Sequence, residues 1–456
     1  MRFRRMAVAA VLALTAATPA PALAQVTAVE FWGWGLNDRG QIGDGGTADR
    51  RFPLLAGALP GERIIRQIVI GSTFGGGVDD SGAVFLWGAL PGVVNSLVPV
   101  RVDGLPPVES ISLGERHVLA RAVDGTVWAW GDNTFRQLGD GTTTGRPTPQ
   151  QVAGLTGVRM VSAGYRHSLA VTQSGQVWAW GHNGYAQLGD GTTVNRGFPV
   201  VLTGITGAVS ASASRSGVFS LALKADGSVW SWGNNADGQL GVGGSAPRYV
   251  PTKVPGVDGA TQVAAGEKSG YAIVARQVYA WGDNTSGRLG DGTTTTRRTP
   301  VVTPITDVQQ VDPGMGGTAA ALTTGFWAMT WGDNTGNALG RNAVTPFDPV
   351  AREVLTNTPF NSISIGHSTG LGTSNLLPDP PPNWARVPDL IGLPESGVRS
   401  RLTAASLRPG VRNTWVDRHC ARLGRVVDQS PVAGTAVAIE SEVDFTVAVP
   451  PAGPCP

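Results

Sequence analysis

VWAWGDNTFRQLGDGTT, residues 127–143, is the stretch that decides the fold, because it returns almost unchanged as VWAWGHNGYAQLGDGTT at residues 177–193. The Trp-Gly pair within it recurs seven times, at intervals of 43 to 53 residues: Trp34, Trp87, Trp130, Trp180, Trp232, Trp281 and Trp331. A repeat of about 50 residues matches one propeller blade or one solenoid turn. The sequence therefore predicts a repeat architecture.

Each Trp-Gly pair ends a short strand in which two large residues usually flank a small one. In the two quoted repeats, Trp128 and Trp130 flank Ala129, and Trp178 and Trp180 flank Ala179. Strand side chains alternate between faces, so each strand has one large face and one small face. We expect successive blades to stack large face against small face, with the tryptophans in the core rather than in contact with a ligand.

The segments around these strands are typical of turns. Asn and Gly, which tolerate positive φ, recur in the loop after the Trp-Gly pair, and Asp124-Gly125 marks a hairpin turn before the next strand. The repeat after Trp87 lacks the Asn and Gly loop, and the repeats near Ser214 and Met315 lack a histidine found elsewhere. Irregular loops are expected in those blades.

The two ends of the repeat region supply complementary halves of one repeat. Val29 to Gly35 contribute only a Trp-Gly strand, and Ile363 to Ser368 match the unit that precedes such a strand. The first strand can thus complete the last blade, and closure removes the exposed edges of an open sheet. The sequence predicts an all-β, seven-bladed β-propeller over residues 26–374, closed by the N-terminal strand.

The repeat resembles the regulator of chromosome condensation repeat family. The resemblance rests on the loop residues Asn133, Gln137, Leu138 and Gly139 and on the turn residues His167 and Ser168. It implies a propeller that binds other proteins, with partner choice residing in the loops. Secreted bacterial propellers of this family include β-lactamase inhibitors that bind through aromatic loops on one rim, so an inhibitor-like role is one alternative.

The C-terminal segment forms a separate module. Residues 375–385 are rich in proline and read as a semi-rigid linker. In residues 386–450, a helix is expected from Glu395, with Val398, Leu402 and Ala405 on one face, and a strand from Val443 to Val449. With its opening VPDLIGL and its QSPVAGT core, the segment resembles a PASTA domain. That resemblance implies a small α+β fold and, less specifically, association with peptidoglycan.

The N-terminus has the pattern of a secretory signal peptide over residues 1–24. A basic start with Arg4 and Arg5 precedes an apolar run from Ala7 to Ala17 and a small-x-small site at Ala22-Leu23-Ala24. The run is too short for a membrane span, which needs about 20 residues, and no later stretch reaches that length. The sequence thus predicts a secreted, periplasmic or cell-envelope protein, which also disfavours a cytosolic nucleotide-exchange role.

Composition narrows the function classes further. Charged residues make up 15% of the chain and the formal net charge is +2, so there is no electrostatic case for nucleic-acid binding. The two cysteines, Cys420 and Cys455, form one disulfide or stay as separate thiols.

No catalytic, cofactor or metal motif is evident in the sequence. Gly366 to Gly370 matches the nucleophile elbow G-x-S-x-G but aligns with a strand-turn-strand unit of the repeat. The histidines at one repeat position are interpreted as structural hydrogen-bonding groups: His117, His167 and His367. The Asp-Gly-Thr runs lack the alternating acidic ligands of a calcium loop and are interpreted as turns: Asp140, Asp190 and Asp291. We expect a non-enzyme without a cofactor.

Residues that vary between blades inside a constant motif are the candidate binding residues. They follow the turn glycine or the loop asparagine, and these two connections alternate along the blade, so they share one rim of the propeller. The candidates are Glu115, Arg116, Phe135, Arg136, Tyr165, Arg166 and Tyr185. Their aromatic and Arg side chains suit protein hot spots, although solvated loop residues would also vary.

The leading hypothesis is a monomeric, non-catalytic scaffold that binds an unidentified protein partner through this rim and peptidoglycan through its tail. A carbohydrate-binding module, with Phe135, Tyr165 or Tyr185 stacked on sugar, is a second class. A hydrolase or lyase is a third, for which no catalytic set is visible.

Overall fold

The computed structural model describes residues 29–450 apart from short gaps at 62, 91, 342–344, 355, 357–358, 376–383, 387–389, 391–393, 417–422, 431–435 and 439–440. The predicted signal peptide and both cysteines lie outside the described residues, as do most of the predicted linker and residues 431–435 of the QSPVAGT core.

The repeats form seven four-stranded antiparallel sheets, which are the predicted blades. We number the blade that contains Trp34 as blade 1 and the others in chain order, so that Trp87 lies in blade 2 and Trp331 in blade 7. Blade 1 contains β1 (Val29–Gly35) and β2 (Arg50–Gly57), and blade 2 contains β3 (Ile65–Ile70), β4 (Phe74–Asp79), β5 (Val84–Leu90) and β6 (Val94–Val102). Blade 3 contains β7 (Val108–Leu113), β8 (His117–Ala122), β9 (Val127–Gly131) and β10 (Arg146–Gln151). Blade 4 contains β11 (Val158–Ala163), β12 (His167–Thr172), β13 (Val177–Gly181) and β14 (Arg196–Val201).

Blades 5 to 7 follow the same order, and blade 1 is completed from the end of the repeat region. Blade 5 contains β15 (Ala208–Ala213), β16 (Phe219–Lys224), β17 (Val229–Gly233) and β18 (Arg248–Lys253), and blade 6 contains β19 (Ala260–Ala265), β20 (Ser269–Val274), β21 (Gln277–Gly282) and β22 (Arg297–Val302). Blade 7 contains β23 (Val308–Pro313), β24 (Thr318–Thr323), β25 (Ala328–Asp333) and β26 (Phe347–Glu353), with a 3-10 turn at Thr335–Asn337. The last two strands, β27 (Ser362–Ile365) and β28 (Thr369–Asn375), belong to blade 1.

Both ends of the repeat region build blade 1. Its strands run in the order β2-β1-β28-β27, and β1 pairs antiparallel with β28, placing Trp34 opposite Gly370. The predicted closure by the N-terminal strand is confirmed. Each end supplies two strands, so the ring closes through the backbone hydrogen bonds of a continuous sheet.

The seven repeated tryptophans form the cores between blades, as their alternation predicts. All seven are fully buried. Ala129 of blade 3 packs in one cluster with Trp180 of blade 4, and Ala179 packs with Trp232 of blade 5. The small face of one blade therefore receives the large face of the next, and the contact repeats around the ring.

The innermost strands are also tied side chain to backbone from blade to blade. Ser112 Oγ accepts the Ala163 N–H at 2.9 Å, and Ser162 Oγ accepts the Ala213 N–H at 3.0 Å. Gln67 donates to the Ile111 carbonyl and accepts its N–H. These bonds provide partners for backbone N–H and carbonyl groups on the innermost strands.

The strand register corrects one sequence assignment. His117 and His167 pair with Gly131 and Gly181, whereas the residue that pairs with the equivalent Gly35 is Thr369. His367 therefore does not share their repeat position; it lies two residues earlier, exposed in the turn before β28. The error arose because the Gly-x-x-His spacing is replaced here by Gly366-His367, one residue after the turn glycine rather than three.

The segment that matches the nucleophile elbow is the repeat turn that the sequence predicts. Ser368 is buried between β27 and β28, and its carbonyl accepts the Leu36 N–H at 2.9 Å. A strand follows rather than the helix that an elbow requires.

The tail has its own small core. Its elements are β29 (Trp384–Arg386), α1 (Glu395–Ala404), β30 (Arg408–Val416), β31 (Val426–Ser430), β32 (Ala436–Ala438) and β33 (Glu442–Val449). The helix starts where the sequence places it, and Val398 and Leu402 pack with Val443 and Phe445. β29 pairs with β32, so the last two residues of the predicted linker are strand. Among the described residues, no helix is long and apolar enough to cross a membrane.

Candidate protein-binding rim

The loop after the Trp-Gly strand is folded around an asparagine in every blade except blade 2, where a short hairpin replaces the loop. In blade 4, Asn183 Oδ1 accepts the Leu188 N–H at 3.0 Å, and its Nδ2 donates to Asp190 Oδ1 at 3.0 Å. Burial alone raises the pKa of Asp190, but hydrogen bonds from Thr192 and Arg196 outweigh it and hold the pKa below 3.8. The Asp-Gly-Thr runs thus stabilise turns. Within the described ranges, no three His, Cys, Asp or Glu side chains are grouped to hold a metal.

One position of this loop is conformationally constrained. Arg136 and Ala186 have φ of 69° and 62°, and the corresponding residues of other blades share this left-handed conformation: Gly40, Gly238, Gly287 and Asn337. Ala186 is fully buried, and Arg136 donates to the Gly141 carbonyl of its own loop at 3.2 Å. The variation at this position therefore reflects which residues tolerate αL. The preceding residue, Phe135 or Tyr185, is the one that varies freely.

Arg166 brings the two families of loops together between blades 3 and 4. Its guanidinium carbon lies 4.4 Å from the ring centre of Phe135 and 4.6 Å from that of Tyr165. Its Nε lies 3.5 Å from Glu115 Oε2. Phe135 follows β9, whereas Glu115 and Arg166 lie in the β7–β8 and β11–β12 turns, so these connections share a rim, as their alternation predicts.

His182 extends this group, although the sequence did not single it out. Its ring lies edge-on to Phe135 at 4.9 Å and to Tyr185 at 6.2 Å. We call these six residues the rim cluster: Glu115, Phe135, Tyr165, Arg166, His182 and Tyr185. A signal was present in the two quoted repeats, because His182 replaces Asp132 in an otherwise similar loop.

The cluster is partly ordered by its own contacts and partly open to solvent. Tyr185 is 55% exposed, and the side chains of Arg166 and Glu115 are 35% and 26% exposed. Arg116 is exposed in the β7–β8 turn, and the structure gives it no contact with the cluster. Five of the seven sequence-predicted residues therefore meet here, and Arg116 and Arg136 lie outside the cluster.

A chain of buried hydrogen bonds lies directly behind the cluster. Ser168 Oγ donates to the Gln137 carbonyl at 2.8 Å, so the His117 ring 3.0 Å away must donate its Nε2–H to that oxygen. His167 meets Ser220 in the same way in the next blade. Burial lowers the pKa of His117 to about 4 and that of His167 to about 3. These contacts give both histidines the structural role that the sequence predicts.

Arg215 fixes the turns of the same rim across the middle of the ring. It lies at the Tyr165 position of blade 5, in a turn that has two extra residues, as expected of the irregular repeat near Ser214. Its guanidinium donates to the Ile70 carbonyl of blade 2 at 3.0 Å and to Asp312 Oδ1 of blade 7 at 2.6 Å. The sequence did not predict this contact, because the partners come from distant blades.

Residues 124–171, 174–221, 226–273 and 277–321 match the Regulator of chromosome condensation (RCC1) repeat. A second description of that repeat matches residues 108–137 and 158–187. RCC1 repeats therefore make up the matched part of the propeller, within residues 108–321. The tail matches the PASTA domain over residues 385–449.

Curated relatives match part of the chain, and the chain spans less than two thirds of their length. The chain is 30% identical over 261 residues to the ultraviolet-B receptor UVR8 of Arabidopsis thaliana, covering 54% of this chain and 59% of that protein. It is 35% identical over 130 residues to the human E3 ubiquitin-protein ligase HERC2, covering 26% of this chain and only 3% of the ligase.

Two solved structures share the fold. Human WBSCR16 superposes with a TM-score of 0.68 and 22% identity, covering 77% of this chain and all of that one. Prp20p of Saccharomyces cerevisiae gives a TM-score of 0.70 and 20% identity, covering 78% of this chain and 93% of that one. At these identities the likeness establishes the propeller fold.

Proposed function

We propose that this protein is a non-catalytic scaffold that binds a protein partner through the rim cluster of blades 3 and 4. One observation carries the proposal: Arg166 is held over the rings of Phe135 and Tyr165 and against Glu115. His182 connects this group to the exposed ring of Tyr185. Tyr and Arg are enriched among residues that dominate protein interfaces.

The cluster is preorganised for binding. Arg166 has little freedom to lose on association because its guanidinium already contacts three neighbouring side chains. Ordering a flexible side chain at an interface costs about 0.5–1.5 kcal/mol, and a prepositioned side chain avoids most of this cost. The exposed Tyr185 adds a large, stiff contact surface at the edge of the cluster.

The geometry favours a protein over a sugar as the ligand. A carbohydrate site in which Phe135, Tyr165 or Tyr185 stacks on a sugar needs aromatic faces that are open to solvent. Arg166 covers one face of Phe135 and one face of Tyr165, and His182 lies at 4.9 Å from Phe135. Tyr185 is the one ring of the three with more than half of its surface exposed.

The similar propellers support the same class of ligand. The reported structure of Prp20p describes its binding to Gsp1p and histones, and a second structure shows yeast RCC1 bound to Kap60. Those partners belong to those proteins. What carries over to this chain is the proposal that loops on an RCC1-type propeller bind a protein.

We further propose that the protein is exported and held near peptidoglycan by its tail. The signal-like pattern of residues 1–24 and the PASTA domain support this location. The test is to fractionate cells and to measure retention of the full chain on purified peptidoglycan. Recovery from the cytosol, or from the unbound fraction at every protein concentration, would refute the location.

Capture of partners from the native envelope tests the binding proposal. The bait is the full chain, and the variant replaces Tyr165 and Tyr185 with Ala. The matched control is Tyr249→Ala, since Tyr249 is also exposed, at 48%, but lies on β18 at the edge of blade 5. A protein captured by the wild type and the control but lost with the double variant supports the proposal. Equal capture by all three baits overturns it.

A further inference from the structure

We propose that His182 is an acid-sensitive latch on the rim cluster, which holds Tyr185 in position while its imidazole is neutral and releases it when the ring is protonated. The inference concerns regulation of the binding site proposed above. Its argument starts from the hydrogen-bond polarity of one buried side chain, Gln187.

Gln187 connects His182 to the backbone of Tyr185. Its Oε1 accepts the Tyr185 N–H at 2.9 Å, and its Nε2 donates to His182 Nδ1 at 2.7 Å. The side chain is 1% exposed, so these are its available partners. A neutral ring that accepts at Nδ1 carries its proton on Nε2.

The neighbouring blade shows that this arrangement belongs to the repeat. Gln137 Oε1 accepts the Phe135 N–H at 2.9 Å, and its Nε2 donates to Asp132 Oδ2 at 2.8 Å. In blade 1, Gln41 Oε1 accepts the Arg39 N–H at 2.8 Å and its Nε2 donates to Asp38 Oδ1 at 3.3 Å, although Asp38 follows the loop asparagine instead of preceding it. Those blades use a carboxylate as the acceptor. Blade 4 uses an imidazole, which becomes a donor when it takes up a proton.

Protonation therefore creates a mismatch that no rotation of Gln187 removes. A proton on Nδ1 sets two donors against each other at the 2.7 Å contact. Turning the amide of Gln187 over would satisfy His182 but would set its NH2 group against the Tyr185 N–H. Either arrangement leaves a buried donor unpaired, which shifts a local equilibrium by about tenfold or more.

Burial of the ring and the positive charge of Arg166 act in the same direction. The charged and titratable groups around the ring come from the β7–β8 and β11–β12 turns, from its own loop and from β12 behind it: Glu115, Tyr165, Arg166, Tyr185 and His167. Burial and the charge of Arg166 lower the pKa of His182 from 6.5. The latch is thus closed at neutral pH and opens on the acid side of 6.5.

Hydrogen exchange of the full-length protein at pH 7 and pH 5 tests the latch without any partner. After correction for intrinsic rates, amide protection over residues 183–190 should fall about tenfold or more at pH 5 in the wild type. His182→Asp copies blade 3 and should abolish the fall, and His182→Asn is a neutral second variant with the same expectation. His367→Asn is the control, because His367 is exposed on the same rim outside the cluster.

Equal protection at both pH values in the wild type would overturn the latch, as would the same fall in both His182 variants. Capture of the envelope partner at pH 7 and pH 5 then measures the consequence for binding. Failure of the exchange experiment leaves the proposed function standing, whereas loss of all capture at pH 7 removes the proposed function and leaves the latch to be judged by exchange.

Discussion

The indole N–H of Trp180 donates to the carbonyl of Gln137 in the preceding blade at 2.8 Å. Six of the seven repeated tryptophans make this bond, at 2.7–3.0 Å: Trp34, Trp87, Trp180, Trp232, Trp281 and Trp331. The exception is Trp130, whose indole nitrogen has no partner among the described residues. It follows the one blade whose loop is replaced by a short hairpin between β5 and β6, where the irregular loop was expected.

This difference predicts unequal effects of one conservative change. Trp180→Phe removes the indole hydrogen bond to the Gln137 carbonyl, which then accepts only from Ser168. Trp130→Phe removes an indole N–H that has no partner among the described residues. Both rings are fully buried, so the change in packing is matched. Trp180→Phe should lower the free energy of unfolding by about 1–2 kcal/mol more than Trp130→Phe. Urea denaturation of both variants measures the difference, and an equal loss would contradict it.

The cross-ring contact of Arg215 predicts a large effect on stability. Its side chain and that of Asp312 are 16% and 19% exposed, so Arg215→Met leaves a mostly buried carboxylate with the Ile365 N–H as its remaining partner. Loss of one member of such a pair costs about 2–3 kcal/mol after allowance for partial exposure. The thermal midpoint should fall by several degrees.

The control for Arg215 is Lys253→Met, which breaks an exposed pair with Asp258 on the edge of blade 5. Its thermal midpoint should stay close to that of the wild type. Similar midpoints for the two variants would show that Arg215 does not hold the ring together.

The buried histidines predict a loss of stability in mild acid. The pKa of His117 is about 4 in the folded protein, against 6.5 for an ordinary histidine. As pH falls below 6.5, the unfolded chain takes up a proton that the folded chain refuses, so stability is lost from pH 6.5 down to about 4. At 1.36 kcal/mol per pH unit, one such histidine costs about 2 kcal/mol between pH 6.5 and 5.

Thermal unfolding of His117→Gln at pH 7 and pH 5 checks this prediction. Gln retains a donor for Ser168 but does not titrate, so its midpoint should fall less with acid than that of the wild type. His367→Gln, at an exposed histidine, should retain the full dependence. A wild-type midpoint that is unchanged between pH 7 and pH 5 would show that His117 does not resist protonation.

The stacked guanidinium predicts that Arg166→Lys is not conservative. Lys keeps the charge opposite Glu115 but lacks the flat surface that contacts Phe135 and Tyr165. Capture of the proposed protein partner should weaken about tenfold, with little change in the thermal midpoint because the site is partly exposed. Unchanged capture would show that the stacking of Arg166 is not used in binding.

The repeat architecture was predictable because its signals are local. Seven Trp-Gly strands, the turns between them and the half-repeats at each end are read directly from spacing and alternation. The tail helix at Glu395 and the strand at β33 follow from local patterns as well. Strand alternation and turn propensity depend on near neighbours, and they repeat from blade to blade.

The site was predictable only in part. Phe135, Tyr165, Arg166 and Tyr185 emerged because they vary inside a constant motif, and the structure places them together. The predicted equivalence of His367 with His117 and His167 is wrong, because spacing in the sequence does not determine strand register. His182 was overlooked because a single substitution of Asp132 by His has no meaning until Gln187 is known to bond to both the ring and Tyr185.

Spacing, alternation and the half-repeats at each end thus predict a closed propeller of seven blades, since all three are properties of short segments. Only the folded ring decides which loops contact each other, which indole lacks a hydrogen-bond partner and which groups the Arg215 guanidinium contacts. The partners of Arg215 lie 145 and 97 residues away in sequence. Contacts of that range depend on blade curvature and loop length around the whole ring, which no local pattern encodes.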